Sequence, residues 1–171
     1  MQRVESSNLR SRMETITYLS LGSNVGDREK NLREAIARLG EFGRVRQVSS
    51  IYETEPVEFQ EQAWFLNCVA ELETSLSAVE LLDGVLCIEK AMGRERVVKK
   101  GPRNIDIDIL LFGDEVIQSR ALTVPHPAMH ERRFVLEPLV EIAEGVKHPR
   151  LGKSARELLA GLPEGPVVRK N

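Results

Sequence analysis

Apolar and polar residues alternate along 65–73, and this is the clearest pattern in the chain. Every second residue from Leu66 to Leu72 is apolar, which is the period of a strand with one buried face. Shorter apolar runs bounded by glycine or polar residues predict further strands. These runs cover 15–21, 45–52 and 105–112.

Two segments have the apolar spacing of amphipathic helices. The first runs from an N-cap at Asp27 to about Leu39 and is followed by glycines. The second opens at Ser77, where Glu80 three residues later completes a capping box, and is expected to stop at Gly93.

The C-terminal third has weaker signals. Gly113-Asp114 predicts a hairpin turn into 115–117, and 123–127 is expected to be a loop. Residues 134–142 predict short helical turns interrupted at Pro138, and 154–160 predict a terminal helix.

The predicted order is strand, helix, strand, strand, helix, strand. This βαββαβ order is typical of a ferredoxin-like α+β sandwich, with a mostly antiparallel sheet and helices on one face. The other face would be left to loops and ligands. Residues 1–14 are polar and aperiodic, so we expect a disordered tail before a single domain over 15–171.

Composition and charge exclude several classes of protein. The net charge of −2 provides no general field for nucleic acid, so no nucleic-acid partner is expected. The first apolar run is far shorter than the roughly 20 residues that cross a bilayer, so no membrane association is expected. Cys68 and Cys87 fall in apolar patterns and are expected to be buried free thiols. Together these features favour a cytoplasmic protein, and a monomer is expected because no exposed apolar seam is evident.

The strongest candidate chemistry lies in the strand after a cationic segment. Asp106 and Asp108 are two residues apart, so they share one face of the strand with Cα atoms roughly 6.5 Å apart. Mg²⁺ prefers one or two carboxylates together with phosphate oxygens and water. Arg94, Arg96 and Arg103 precede the pair, and arginine binds phosphate oxygens bidentately. The segment therefore predicts a magnesium–nucleotide site, whereas a solvated charged strand is the simpler alternative.

Two smaller groups could complete a site. His126 lies between two prolines and is followed by Arg132, which suits phosphate binding. Phe65 and Asn67 share a strand face, where a ring and an amide could hold a flat heteroaromatic ligand, with Phe134 as a second ring. Ordinary packing is the simpler reading of both groups. His130 and His148 have no such setting and are expected at the surface.

Several motifs, in this order, resemble the hydroxymethyl-dihydropterin pyrophosphokinase family of folate biosynthesis. The resemblance runs from about Thr17 to Pro149, and its most specific part is the Gly101–Leu110 stretch. The other motifs are Leu21-Gly22-Ser23-Asn24, Ser49–Pro56, Phe65-Leu66-Asn67, Ile88-Glu89 with Gly93–Arg96, and Val124–Pro127 with Arg132 and Phe134.

The resemblance implies transfer of pyrophosphate from ATP to the hydroxymethyl group of the reduced pterin, with AMP leaving. It implies two Mg²⁺ ions held by Asp106 and Asp108, and small-molecule substrates only. It places ATP against Glu89, Arg94, Arg96, Arg103, His126 and Arg132. It places the pterin against Thr54, Pro56, Val57, Phe65, Asn67 and Phe134.

From the residues alone, two other functions stay open. A magnesium-dependent nuclease or other phosphotransferase could use the same acids and bases. A ferredoxin-like module could instead bind nucleotides or anions without turnover, because the fold by itself says little about function.

Overall fold

The computed structural model describes residues 13–55, 63–93, 104–165 and 168–170. For residues 169 and 170 it describes the backbone alone. The strands are Thr15–Ser23 (β1), Arg44–Val48 (β2), Tyr52–Thr54 (β3), Phe65–Thr74 (β4), Asp106–Phe112 (β5), Ile117–Gln118 (β6), Thr123–Val124 (β7) and Val168–Lys170 (β8). The helices are Arg28–Leu39 (α1), Ala78–Ala91 (α2), Arg133–Ala143 (α3) and Ala155–Ala160 (α4), with a 3₁₀ turn at Met129–Glu131. Most of the predicted N-terminal tail lies outside the described residues.

The main sheet has the strand order β5-β1-β4-β3-β8, and β2 pairs with β4 beside β3. Each pair in this sheet is antiparallel. With α1 after β1 and α2 after β4, the arrangement confirms the predicted ferredoxin-like fold. None of the described helices is long and apolar enough to cross a membrane.

The two long helices begin where the sequence predicts. Asp27 accepts a hydrogen bond from the Lys30 amide at 3.1 Å, and Ser77 and Glu80 form the reciprocal capping box. Gly93, with φ of +82°, ends the turn after α2 in a conformation that favours glycine. These local signals fix both helix starts before any tertiary contact is considered.

The first face of the sheet packs against α1 and α2. Leu19 and Leu21 of β1, Leu72 of β4 and Leu81 of α2 are fully buried there. Cys68 belongs to the same core, and burial raises the pKa of its thiol to about 12. Cys87 is exposed, so the prediction of two buried thiols was wrong for this residue, which lies on the outer side of α2.

The second face is also covered by helices along part of its length. Leu136 and Leu139 of α3 and Leu158 of α4 pack with Tyr18 and Val69 of the sheet. The expectation that this face carries only loops and ligands was therefore wrong for its helix-covered part. Burial of the apolar stripe of α3 supplies the reason, since it removes apolar side chains from water.

Helix α3 continues through Pro138, so the predicted interruption was wrong. Proline removes one backbone hydrogen bond from a helix interior, a cost of about 3 kcal/mol. Leu136 and Leu139, on either side of it, are completely buried. Burying two leucines contributes a similar or larger amount, which offsets the proline.

Predictions for the connecting segments were partly wrong. The turn predicted at Gly113-Asp114 is present, because the Glu115 amide donates to the Phe112 carbonyl at 3.0 Å, but the described strand after it does not pair with β5. Residues Ile117–Gln118 instead pair with Thr123–Val124, where a loop was expected. The strand predicted over 45–52 is divided into β2, which pairs with 70–73, and β3, which pairs with 65–67. Between them the Ser49 hydroxyl accepts a hydrogen bond from the Val69 amide at 2.9 Å.

Histidine burial also differs from the prediction. His148 is buried, and its Nδ1 accepts hydrogen bonds from the Arg150 and Leu151 amides. The ring of His130 lies edge-on to it at 6.0 Å between centroids. His148 therefore closes a turn and is not a surface residue.

Candidate active site

Three polar or small residues form a row across the second face, beyond the helix-covered part. Gly22 of β1 is paired with Asp106 of β5 on one side and with Asn67 of β4 on the other. Directly paired residues of an antiparallel sheet project to the same face. Two strand spacings place the Asp106 and Asn67 Cα atoms roughly 10 Å apart. The candidate metal ligand and the candidate amide therefore face the same space.

The two aspartates lie at the beginning of β5. Asp106 and Asp108 are half-buried, while Ile105, Ile107 and Ile109 are buried on the opposite face. This alternation fixes the carboxylates on the open face, as the sequence predicted. The described residues contain no cluster of three or more metal-ligating side chains. Two carboxylates fit Mg²⁺, which takes its remaining ligands from water and substrate phosphates.

Glu89 fixes the backbone between the two aspartates. It lies on α2, is 4% exposed, and its Oε2 accepts a hydrogen bond from the Ile107 amide at 3.0 Å. A carboxylate bonded to a backbone amide holds that strand segment against the helix. The structure thus gives Glu89 a positioning contact, while its predicted contact with ATP stays a prediction.

His126 is oriented by its own backbone. Its amide donates to the Leu110 carbonyl at 2.9 Å, and its Nδ1 accepts from the Ala128 amide at 3.1 Å. Burial, followed by the nearby Arg132 charge, lowers the pKa of His126 to about 4 against an opposing effect of Asp106. At neutral pH the ring is therefore neutral, and with Nδ1 accepting, its proton is on Nε2. The ring offers one N–H donor near Asp106.

Arg132 connects this group to the aromatic one. It is the N-cap residue of α3, and its guanidinium carbon lies 5.6 Å from the centroid of the Phe134 ring. A cation over an aromatic face is attracted by the ring quadrupole. Arg132 thus lies between the His126 side of the site and the Phe134 side.

The amide of Asn67 is held in one orientation. Its Nδ2 donates to the Thr54 hydroxyl at 2.7 Å, and both residues are buried. Thr54 is paired with Phe65, so the hydroxyl, the ring and the amide share the second face. Phe65 and Asn67 therefore share one face, as the sequence predicted, and their role as a half-pocket for a ligand stays a prediction.

Gly22 is a candidate site position that the sequence analysis used only as part of a motif. A Cβ atom at this position would lie 2.7 Å from Asn67 Oδ1 and 3.6 Å from Phe65 Cδ1. Any side chain here would therefore displace the amide. A glycine inside an apolar strand was the available signal, because it marks close approach of other atoms to the backbone.

Five predicted site residues lie outside the described residues. They are Pro56, Val57, Arg94, Arg96 and Arg103. Of the other predicted residues, the structure brings Asp106, Asp108, His126 and Arg132 to one end of the second face, and Thr54, Phe65 and Asn67 beside them.

Comparison with known proteins identifies the family of the chain. The family model described as 7,8-dihydro-6-hydroxymethylpterin-pyrophosphokinase matches residues 18–144. A *Bacillus subtilis* protein named 2-amino-4-hydroxy-6-hydroxymethyldihydropteridine pyrophosphokinase is 52% identical over 137 residues, covering 79% of this chain and 82% of its own length. An *Aquifex aeolicus* protein of the same name is 46% identical, covering 82% and 88%.

A solved structure shows the same fold. The *Plasmodium falciparum* protein described as HPPK-DHPS superposes with a TM-score of 0.71 at 17% identity, covering 88% of this chain and 46% of that one. With a family match over most of the chain and relatives near half identity, the chain belongs to the 7,8-dihydro-6-hydroxymethylpterin-pyrophosphokinase family.

Proposed function

We propose that the chain transfers pyrophosphate from ATP to 6-hydroxymethyl-7,8-dihydropterin with the help of Mg²⁺, and releases AMP. Membership of the family supports pyrophosphate transfer to hydroxymethyldihydropterin in folate biosynthesis. The observation that supports the residue assignment is the row Asp106, Gly22, Asn67, because it brings the carboxylate proposed to bind metal and the amide proposed to bind the pterin to one face of the sheet.

Asp106 and Asp108 are proposed to hold two Mg²⁺ ions. The two carboxylates would hold the ions, which when bound would supply positive charge against the negative charge that develops during transfer. Half-burial of both carboxylates and the Glu89 contact with the Ile107 amide support this role, because they fix the two ligands relative to each other.

His126 and Arg132 are proposed to bind the phosphates. The neutral His126 ring would donate a hydrogen bond from Nε2–H to a phosphate oxygen. Such a bond stabilises negative charge and transfers no proton. Arg94, Arg96 and Arg103 are proposed to add positive charge, and Glu89 to lie near the nucleotide.

The pterin is proposed to stack between Phe65 and Phe134 and to bind Asn67 through its ring nitrogens. Thr54 fixes the amide, so the pocket is oriented before the ligand arrives. Pro56 and Val57 are proposed to contribute backbone contacts. Orientation in advance reduces the entropy lost on binding.

The proposed reaction is a single displacement at the β-phosphorus of ATP. The pterin hydroxyl oxygen forms a bond to the β-phosphorus of ATP, and the bond from that phosphorus to the oxygen bridging to the α-phosphate breaks. AMP leaves with the bridging oxygen, and the hydroxyl proton goes to an aspartate carboxylate or to water. Arg94 and Arg103 are proposed to stabilise the charge that moves onto the leaving group.

One assay tests this function against its alternatives. The protein is incubated with ATP, Mg²⁺ and 6-hydroxymethyl-7,8-dihydropterin, and products are measured by mass spectrometry. We expect AMP and pterin diphosphate in equal amounts, and neither when the pterin is left out or the Mg²⁺ is chelated. ADP with pterin monophosphate, cleavage of an oligonucleotide, or nucleotide binding without products would each contradict the proposal.

We also propose a monomer, which light scattering during size-exclusion chromatography would test.

A further inference from the structure

The segment that joins β1 to α1 makes contacts that the proposed chemistry does not use. Asn24 is buried, and its Nδ2 donates to the Ala63 carbonyl at 3.3 Å. Four residues later, Arg28 Nη1 donates to the Trp64 carbonyl at 2.6 Å. Two neighbouring carbonyls at the entry to β4 are therefore held by side chains from one short segment.

This segment is itself braced. The Asn31 side-chain amide donates to the Ser23 hydroxyl at 3.2 Å and to the Val25 carbonyl at 2.9 Å. Asp27 caps α1 in the middle of the same stretch. Arg28, the first residue of α1, consequently reaches β4 from a fixed backbone.

Arg28 also reaches β3. Its Nη1 lies 4.0 Å from Glu53 Oε1, and the two side chains are 30% and 25% exposed. Glu53 is paired with Leu66, a residue of the core under α1 and α2, so its side chain projects to the first face. One guanidinium thus contacts β3 and the beginning of β4 from behind the sheet.

The same two strand ends carry the pterin half-pocket on their other face. Thr54 follows Glu53, and Phe65 follows Trp64. Strand β3 has three residues, so few ladder hydrogen bonds fix its position on β4. A side chain that joins Glu53 to the Trp64 carbonyl therefore helps to set the distance that the Thr54–Asn67 hydrogen bond spans.

We propose that Arg28 is a positioning residue for the pterin: it holds β3 against the entry of β4, and so keeps Thr54 and Asn67 in the geometry that binds the pterin ring. This inference rests on the proposed function for the identity of the ligand. The Asp106 and Asp108 carboxylates lie on β5, across β1 from β4, so we expect this contact to affect them less.

The test compares Arg28→Ala with Arg33→Ala. Arg33 lies on the same helix and pairs with Glu29 four residues earlier, but its side chain is 74% exposed and the ion pair stays within α1. Calorimetry measures binding of the pterin to protein saturated with Mg²⁺ and a non-hydrolysable ATP analogue, and binding of the analogue alone. We expect Arg28→Ala to weaken pterin binding about tenfold and analogue binding less than about twofold, with both unchanged in Arg33→Ala.

Two more variants keep the test decisive if Arg28→Ala is poorly folded. Arg28→Lys retains a cationic donor and should recover part of the pterin affinity, whereas Glu53→Gln keeps the Trp64 contact and should lose less than Arg28→Ala. Equal losses for both ligands, or unchanged pterin affinity in Arg28→Ala, would overturn the proposal.

A second measurement separates this inference from the proposed function. In the free protein, the Asn67 side-chain amide signal in a ¹H–¹⁵N spectrum should move or broaden in Arg28→Ala and stay in place in Arg33→Ala. An unmoved Asn67 signal overturns the positioning role whatever the ligand is. A shifted signal in a protein that does not bind pterin supports the positioning of the amide and contradicts the proposed function.

Discussion

The two faces of the sheet use the same strands for different purposes. On the first face, residues such as Leu19, Leu21 and Leu72 pack under α1 and α2 in a continuous apolar core. On the second face, α3 and α4 cover an apolar part around Val69, and beyond them lies the row Asp106, Gly22, Asn67.

The difference shows how one alternating pattern supplies both stability and a site. Burial on the first face holds the strands in register, because a slip of one residue would turn every apolar side chain to the wrong face. With the register fixed, the alternate residues on the second face are free to be polar or to be glycine. The proposed chemistry therefore lies on the row of polar and glycine residues of the second face, and the apolar core of the first face supports it from behind.

The largest expected effect is on the second face. Asp106→Asn or Asp108→Asn should lower turnover at least about a thousandfold, because loss of a carboxylate removes several kcal/mol of metal-mediated charge stabilisation. The melting temperature should stay close to that of the unmodified protein, since both side chains are half-buried. Steady-state AMP production and thermal unfolding measure the two quantities.

The control for this prediction is Asp114→Asn, an exposed aspartate in the turn after β5. It should retain full activity. Near-normal turnover in either Asp106→Asn or Asp108→Asn would remove the metal assignment.

A substitution on the first face should lower stability and leave substrate binding nearly unchanged. Leu72 is fully buried in the core, so Leu72→Ala should lower the free energy of unfolding by about 2–5 kcal/mol. At temperatures where the variant is folded, KM for both substrates should change little. Denaturant titration gives the first quantity, and a selective change in one KM would show that the two faces are not separable in this way.

A smaller, selective effect is expected at the centre of the row. The Cβ of Gly22→Ala would lie 2.7 Å from Asn67 Oδ1, so the amide must shift. We expect pterin binding about tenfold weaker, a cost of roughly 1.4 kcal/mol, with ATP-analogue binding nearly unchanged. Gly145→Ala is the control, because no atom lies within 4 Å of its added Cβ. Calorimetry showing equal loss for both ligands would place Gly22 outside the pterin half-pocket.

The smallest effect concerns the helix-covered part of the second face. Burial, then the charges of His130 and Arg150, lowers the pKa of His148. The unfolded chain therefore binds a proton at a higher pH than the folded protein, so stability is lost as the pH falls below about 6.5, the ordinary histidine value.

His148→Asn tests this pH dependence without removing the turn. An asparagine oxygen can accept the hydrogen bonds of the Arg150 and Leu151 amides but does not titrate. We expect the free energy of unfolding of His148→Asn to fall less between pH 7 and pH 5 than that of the unmodified protein. Parallel curves would show that His148 does not contribute.

The sequence predicted the elements whose period and caps are local. Strand β4 and the starts of α1 and α2 followed from alternation, Asp27 and the Ser77–Glu80 box. The failures lie where tertiary contacts decide. Helix α3 passes through Pro138 because its apolar face is buried, and β8 pairs with β3 although its short sequence carries no strand signal.

The candidate site divides in the same way. The Asp-x-Asp spacing and the Phe65–Asn67 face could be read from periodicity, since residues two apart on a strand share a face. The position of Gly22 between Asp106 and Asn67 could not be predicted in this way, because strand pairing depends on contacts between residues distant in sequence. The hydrogen bond from the Asn67 amide to Thr54 could not be predicted from the sequence either. The same holds for the hydrogen bond from Arg28 to the Trp64 carbonyl.

The central claim is that one row on the second face holds the metal at one end and the pterin at the other. Its most direct test is a crystal structure with Mn²⁺, a non-hydrolysable ATP analogue and the pterin, using anomalous scattering to locate the metal. We predict manganese peaks bound by the Asp106 and Asp108 carboxylates and a pterin ring against Asn67, roughly two strand spacings away. Manganese elsewhere, or a pterin not in contact with Asn67, would contradict the account.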